Sequence, residues 1–225
     1  PDTLTRVPIA SARLTGMPLR RPFLTVSRPE ARERLRLSPA TPYLLCTGGS
    51  QGARSLNHTL WQTLPALFDR FPNLSICHTT GPGDYSQGLQ HLAALPAERR
   101  ERYRMVESLT TAQMAEVLAA ADAAVARTGA NTIAEIQALN VPAVLIPYPF
   151  ATGDHQRKNA EILLRSGQAV LLDDRDLSPD TLLQHLLTRL RAPAADRPTN
   201  QESGRLAAAR IASLILEVAD SGHTP

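Results

Sequence analysis

The chain has 225 residues, 24 Lys and Arg against 21 Asp and Glu, a formal net charge of +3 and 43% hydrophobic residues. That apolar content excludes a disordered chain, and the length fits one large domain or one domain with an appendage. The arginines are spread along the sequence, which reads as a solvated surface and excludes a nucleic-acid footprint; an anionic small ligand or a membrane surface stays compatible. Cys46 and Cys77 each sit in an apolar run and read as core residues, with no metal-ligand spacing around them. No apolar run is long enough to span a bilayer, so the expected setting is reducing and cytoplasmic.

Residues 1–40 hold many prolines and arginines and only short apolar runs. Ser27 to Leu37 reads as a short polar helix with Pro29 in its first turn. The chain starts at Pro1 without a methionine, and residues 1–37 are expected to be a linker and the remnant of an N-terminal domain, an edge and not a core. One domain is expected over residues 38–220. It opens with the apolar run Tyr43–Thr47, a strand covered on both faces, followed by the turn Gly48-Gly49-Ser50-Gln51-Gly52-Ala53 and a helical pattern over Leu56–Phe68. The glycines permit close backbone approach to a ligand, and Ser50 offers a hydroxyl to a phosphate. The turn is neither the Walker pattern nor GxGxxG, and a plain tight turn fits it too.

Strands are expected at Leu74–Thr79, Tyr103–Val106, Ala123–Ala126, Ala143–Ile146 and Ala169–Leu172. Between them fall helices over residues 84–102, broken at Pro96, and over Thr110–Ala121, capped by Thr110 or Thr111. A helix opened by Asp154-His155-Gln156 should run to Arg165 and end at Gly167. Amphipathic helices follow at Pro179–Arg191 and Arg205–Val218, with a polar loop at 192–204 between them. The alternation predicts an α/β fold, a doubly wound and mostly parallel sheet of about six strands. His78, inside a strand, receives no role.

The stretch from Ala126 to Asn159 concentrates polar residues at strand ends, where open α/β sheets bind ligands. Thr128-Gly129-Ala130-Asn131-Thr132 should open a helix with free backbone N–H groups, a site for phosphate. Glu135, one turn in, could accept two hydrogen bonds from a ribose diol. The same residues also fit a plain reading in which Thr132 caps the helix and Glu135 complements its dipole. Asn140 suits a left-handed C-terminal cap.

Taken together, these motifs resemble the C-terminal half of the MurG family of UDP-N-acetylglucosamine transferases. The resemblance rests on Thr15-Gly16-x-Pro18-x-Arg20, Gly48-Gly49-Ser50-Gln51-Gly52-Ala53, Arg127-x-Gly129-Ala130-x-Thr132-x-x-Glu135, Pro147-x-Pro149, Asp154-His155-Gln156 and Asn159-Ala160, in family order. It implies a Rossmann-like C-terminal half of a two-domain GT-B fold that binds the nucleotide sugar. Arg20 and Ser50 would then contact the diphosphate. The segment Ala130, Asn131, Thr132, Ile133, Ala134 and Glu135 would hold phosphate and sugar, Glu135 the ribose hydroxyls, Gln156 the N-acetylglucosamine hydroxyls, and Thr111 the uracil through its backbone. Met17 stands where the family has asparagine, and Asn140 where it has glycine. The family's proposed base and acceptor surface belong to an N-terminal domain, so no catalytic residue is assigned here. Neither metal nor other cofactor is implied. The partners implied are UDP-N-acetylglucosamine, a lipid-linked acceptor and, indirectly, the membrane surface. A UDP-sugar transferase with another acceptor, or a non-catalytic nucleotide-sugar-binding module, remains open as an alternative.

Overall fold

Six short apolar runs pair side by side, all parallel: β1 (Tyr43–Thr47), β2 (Ser75–Thr79), β3 (Tyr103–Val106), β4 (Ala123–Arg127), β5 (Ala143–Ile146) and β6 (Ala169–Leu171). The computed structural model describes residues 12–151, 155–190 and 197–221. The strand order is β3-β2-β1-β4-β5-β6. The chain runs outward from β1 in one direction, then returns to β4 and runs outward in the other. In such sheets the ligand crevice opens beyond the carboxyl ends of the two strands flanking the reversal, here β1 and β4.

Both faces of the sheet are covered, which is why its strands read as unbroken apolar runs rather than as alternating ones. Every residue of β1 and of β5 is buried. Leu45, Cys77, Ala124, Ala126 and Leu145 point to one layer, packed against α6 (Thr111–Ala120), α7 (Ala130–Ala138) and α8 (His155–Arg165). Leu44, Cys46, Ile76, Val125, Val144 and Ile146 point to the other, against α3 (Arg54–Arg70) and α9 (Pro179–Leu190). Two further helices, α4 (Pro82–Ala94) and α5 (Ala97–Arg100), flank β3, with the break between them at Pro96 as the sequence implies. Thr110 caps α6 in a capping box with Gln113. Asn140 adopts φ +49° just past α7, as its left-handed cap role requires.

The leading segment departs from expectation. Residues 21–34 form α1 (Arg21–Thr25) and the expected short helix, α2 (Arg28–Arg34), but their Phe23 and Ala31 are fully buried within the core. The arginine-rich composition suggested an edge, but two of the arginines, Arg28 and Arg32, are spent inward. Arg28 and Arg32 both pair with Asp122, and both donate to Ala120 O at the carbonyl end of α6. The C-terminal helix, α10 (Gln201–Ser221), also starts earlier than expected, inside the stretch read as loop. Its Gln201 side chain donates to the carbonyls of Phe23 and Val26 and straps the leading segment down. A 3₁₀ turn at Asp174–Asp176 is a further element with no clear sequence signal. Asp154, expected to open α8, lies outside the described residues, as do Arg191–Asp196.

Candidate functional site

The turn after β1 is anchored through threonine hydroxyls. Thr47 Oγ1 accepts from Gly49 N at 3.2 Å and from Thr79 Oγ1 of the neighbouring strand at 2.8 Å. Gly49 has φ +83° and nothing within 4 Å of where a Cβ would sit, so its backbone faces open space. Gly52 has φ +77°, and a Cβ there would stand 1.9 Å from Thr80 O. Only glycine lets the far end of this turn lie so close against the end of β2, and that contact fixes where Ser50 projects.

Across the crevice, β4 ends at Arg127, and Gly129 occupies the N-cap of α7 with no side-chain cap. Thr132 therefore is not the cap; it is the third residue of the helix. The uncapped first turn, Ala130 to Thr132, lines a cavity of about 490 Å³, together with Ser50, Arg20, Thr111 and Glu135. Helix N-terminal N–H groups without an internal acceptor carry partial positive charge and suit an anion.

At the far end of this cavity the Arg20 guanidinium bridges two elements. It donates to Glu135 Oε1 at 2.6 Å and to Thr111 Oγ1 at 2.7 Å. Glu135 is 6% exposed, and its burial raises the carboxyl above its ordinary range, an effect tempered by the Arg20 hydrogen bond and charge. A carboxylate that is desolvated and only partly paired, beside an open cavity, is poised to take hydroxyl donors.

A second cavity of about 500 Å³ lies on the other side of the glycine turn and shares Gly49, Ser50, Gly129 and Thr132 with the first. Gln156 lines it, with its Oε1 accepting from Thr128 Oγ1 and Tyr148 N. Arg127 crosses its wall, paired with Asp174 at 2.6 Å; Ser55 Oγ accepts from Arg127 and donates to Asp174. So Ser50, Thr132, Glu135 and Gln156, far apart in sequence, line two adjoining cavities, with Ser50 and Thr132 common to both. Arg20, Thr111, Ala130 and Asn131 join them.

Ile133 and Ala134 do not join them. Ile133 is 5% exposed, packs in the core and gives its N–H to Gly129 O; both residues line a separate groove beside Met17 and Leu206. The helical period turns residues 133 and 134 away from the face that carries 132 and 135. Sequence reasoning in turn missed the roles of Ser55, Tyr148 and Asp174. The position of Arg127 at a strand end was the one available signal.

His78 belongs to a closed network instead. Trp61 Nε1 donates to Tyr103 Oη at 3.0 Å, Tyr103 Oη meets His78 Nδ1 at 2.6 Å, and His78 Nε2 meets Asn57 Oδ1 at 2.9 Å. Asn57 Nδ2 donates to Thr80 O and Asp84, which leaves its oxygen to accept, so His78 is neutral with its proton on Nε2. Burial pushes its pKa down to about 3. Among the described residues no group of three or more His, Cys, Asp or Glu is placed to hold a metal ion, and no helix is long and apolar enough to cross a membrane.

A parallel sheet with its order reversed over a glycine turn and an uncapped helix end defines the doubly wound, Rossmann-like class of α/β domains. Within that class the chain belongs to the family described as glycosyltransferase family 28 C-terminal domain, which residues 43–215 match. It is 36% identical over 205 residues to the UDP-N-acetylglucosamine--N-acetylmuramyl-(pentapeptide) pyrophosphoryl-undecaprenol N-acetylglucosamine transferase of Desulforudis audaxviator, covering 91% of this chain and 55% of that protein. It is 42% identical over 181 residues to the transferase of the same name from Carboxydothermus hydrogenoformans, covering 80% and 47%. Among solved structures it is similar to MurG of Acinetobacter baumannii, with a TM-score of 0.66 and 27% identity, covering 87% of this chain and 55% of that one. The chain thus spans about half the length of the relatives it matches.

Proposed function

We propose that this chain is the donor-binding half of an inverting N-acetylglucosaminyltransferase that uses UDP-N-acetylglucosamine and a lipid-linked muramoyl-pentapeptide acceptor, lipid I, to make lipid II for peptidoglycan. The observation that carries this reading is the convergence of Ser50, Thr111, Thr132, Glu135 and Arg20 on one cavity at the reversal between β1 and β4. The names of the similar proteins supply the donor and the acceptor.

In this reading the uracil lies near Thr111 and the ribose hydroxyls donate to Glu135. The pyrophosphate rests between the Gly49–Ser50 turn and the first turn of α7. As an acceptor hydroxyl attacks the anomeric carbon, the carbon–oxygen bond to UDP breaks and negative charge gathers on the diphosphate. The N–H groups of α7 and the Ser50 hydroxyl face that developing charge, and Arg20, held by Glu135 and Thr111 at the nucleoside end, adds positive charge to the same cavity. The acceptor and the base that takes its proton are assigned to the half of the relatives that this chain does not span. By itself the chain is expected to bind donor without turnover. The working site is placed at the cytoplasmic face of the membrane, reached peripherally.

Calorimetric titration with UDP-N-acetylglucosamine, UDP and an adenine nucleotide tests this reading. Saturable binding of both uridine ligands and not of the control is expected. Equal binding of the adenine nucleotide, or no binding of UDP, would overturn the assignment.

A further inference from the structure

We propose that Tyr148 and Phe150 form a stacking corner for the pyranose ring of the nucleotide sugar, and so govern recognition of the transferred sugar; this rests on the donor-binding reading above. The two cavities meet at the shared turn, and a nucleoside–pyrophosphate–sugar ligand is linear. With Arg20, Thr111 and Glu135 at one end and the phosphate-binding turn in the middle, the sugar falls in the second cavity. The outer wall of that cavity is Tyr148-Pro149-Phe150.

This wall is chemically out of place unless something covers it. Phe150 is 81% exposed and Tyr148 48% exposed, although the adjoining strand β5 is wholly buried. Exposed aromatic surface beside a polar cavity marks a binding face. The two rings stand 5.6 Å apart at 72°, so they present a wall and a floor rather than one flat surface. The C–H faces of a pyranose are weakly positive and apolar, and they match the electron-rich faces of aromatic rings.

The corner is also held in place. Tyr148 N donates to Gln156 Oε1, and the Arg127 guanidinium, 6.0 Å from the Tyr148 ring centroid, donates to Pro147 O. Arg127 is in turn fixed by Asp174 and Ser55. The prolines at 147 and 149 limit the backbone further. A preformed apolar surface of this kind costs little to order on binding.

The test compares UDP with UDP-N-acetylglucosamine on the 225-residue chain and on Phe150→Ala, Tyr148→Ala and Phe150→Trp. In the alanine variants UDP-N-acetylglucosamine should weaken by about fivefold or more, on the scale of one aromatic contact, while UDP holds its affinity. Phe150→Trp should restore the sugar-dependent part, and saturation-transfer NMR should show stronger transfer to the pyranose protons, relative to the uracil protons, when the aromatic is present than in the alanine variants. Unchanged affinity for UDP-N-acetylglucosamine in both alanine variants would overturn the stacking corner while leaving the donor site intact. Equal weakening of both ligands in variants that keep the melting temperature of the unsubstituted chain would overturn it as well, since the aromatics would then serve the UDP moiety and not the sugar. Absence of UDP binding in the unsubstituted chain would instead remove the donor site itself, and the corner with it.

Discussion

The two ends of strands β1 and β4 each hold a buried acid facing arginine, and the two acids are treated differently. At the amino end, Asp122 is saturated. It accepts from Arg28, from Arg32 and from Tyr43 N, while Arg197 closes over the neighbouring carbonyls of Ala121 and Asp122. Burial, with Arg28 nearby, brings Arg197 down to about 10, so it is still a cation at neutral pH. At the carboxyl end, Glu135 has one arginine partner, itself 53% exposed, and its remaining lone pairs face a cavity. The closed acid ties together α2, the end of α6, β1 and the segment before α10. The open one is held above its ordinary pKa by burial, which makes its ionised form a cost to the fold at neutral pH. An acid satisfied wholly by protein is structural, whereas one left short of partners beside a cavity is available to a ligand.

Removing each acid should break this contrast in opposite ways. Asp122→Ala leaves Arg28 and Arg32 buried without their counter-charge, and should cost about 3–5 kcal/mol in chemical denaturation. Glu135→Gln should do the reverse. It should weaken UDP binding by about 1.5–3 kcal/mol in calorimetry, the scale of a hydrogen bond to a charged group. Its melting temperature should hold or rise, because a desolvated charge is gone. A Glu135→Gln variant that unfolds easily and still binds UDP would invert the comparison.

Acid should separate closed from open as well. His78 is neutral in the fold with a pKa near 3, whereas unfolded histidine titrates near 6.5. The unfolded state therefore binds the extra proton between those values, and stability falls as pH drops below 6.5. The loss should reach about 2 kcal/mol between about pH 7.5 and pH 5, and should be absent from the pH dependence of His78→Gln. At the open site burial holds the Glu135 carboxyl above its ordinary range, so on acidification ligand affinity should begin to decline at a higher pH than an ordinary carboxylate would give. The smallest expected effect is Arg20→Ala. It should change stability by less than about 1 kcal/mol, because the exposed end of the pair is solvated, yet still weaken the diphosphate ligand.

Most of the strands and the glycine turn were legible in the sequence, because burial on both faces leaves unbroken apolar runs such as Tyr43–Thr47 and Ala143–Ile146. The turn residues and Asn140 announced themselves through backbone requirements that few residues meet. The leading segment misled, because composition records that arginines are present and not which way they point. Arg28 and Arg32 turn inward to a single carboxylate, and Phe23 follows them into the core. The resemblance implies a role for the whole segment from Ala130 to Glu135, but a helix separates neighbours by about a third of a turn and sends Ile133 and Ala134 to another groove.

The sequence by itself determined the alternation of strand and helix and the chemistry available at each strand end, since periodicity and turn residues are local properties. Tertiary structure alone decided which of those ends meet. Strand order brings residues 50, 132, 135 and 156 to two adjoining cavities, and packing decides that Asp122 is used up while Glu135 is left open. Those outcomes depend on distances between segments remote in the chain, and a one-dimensional pattern does not carry such distances.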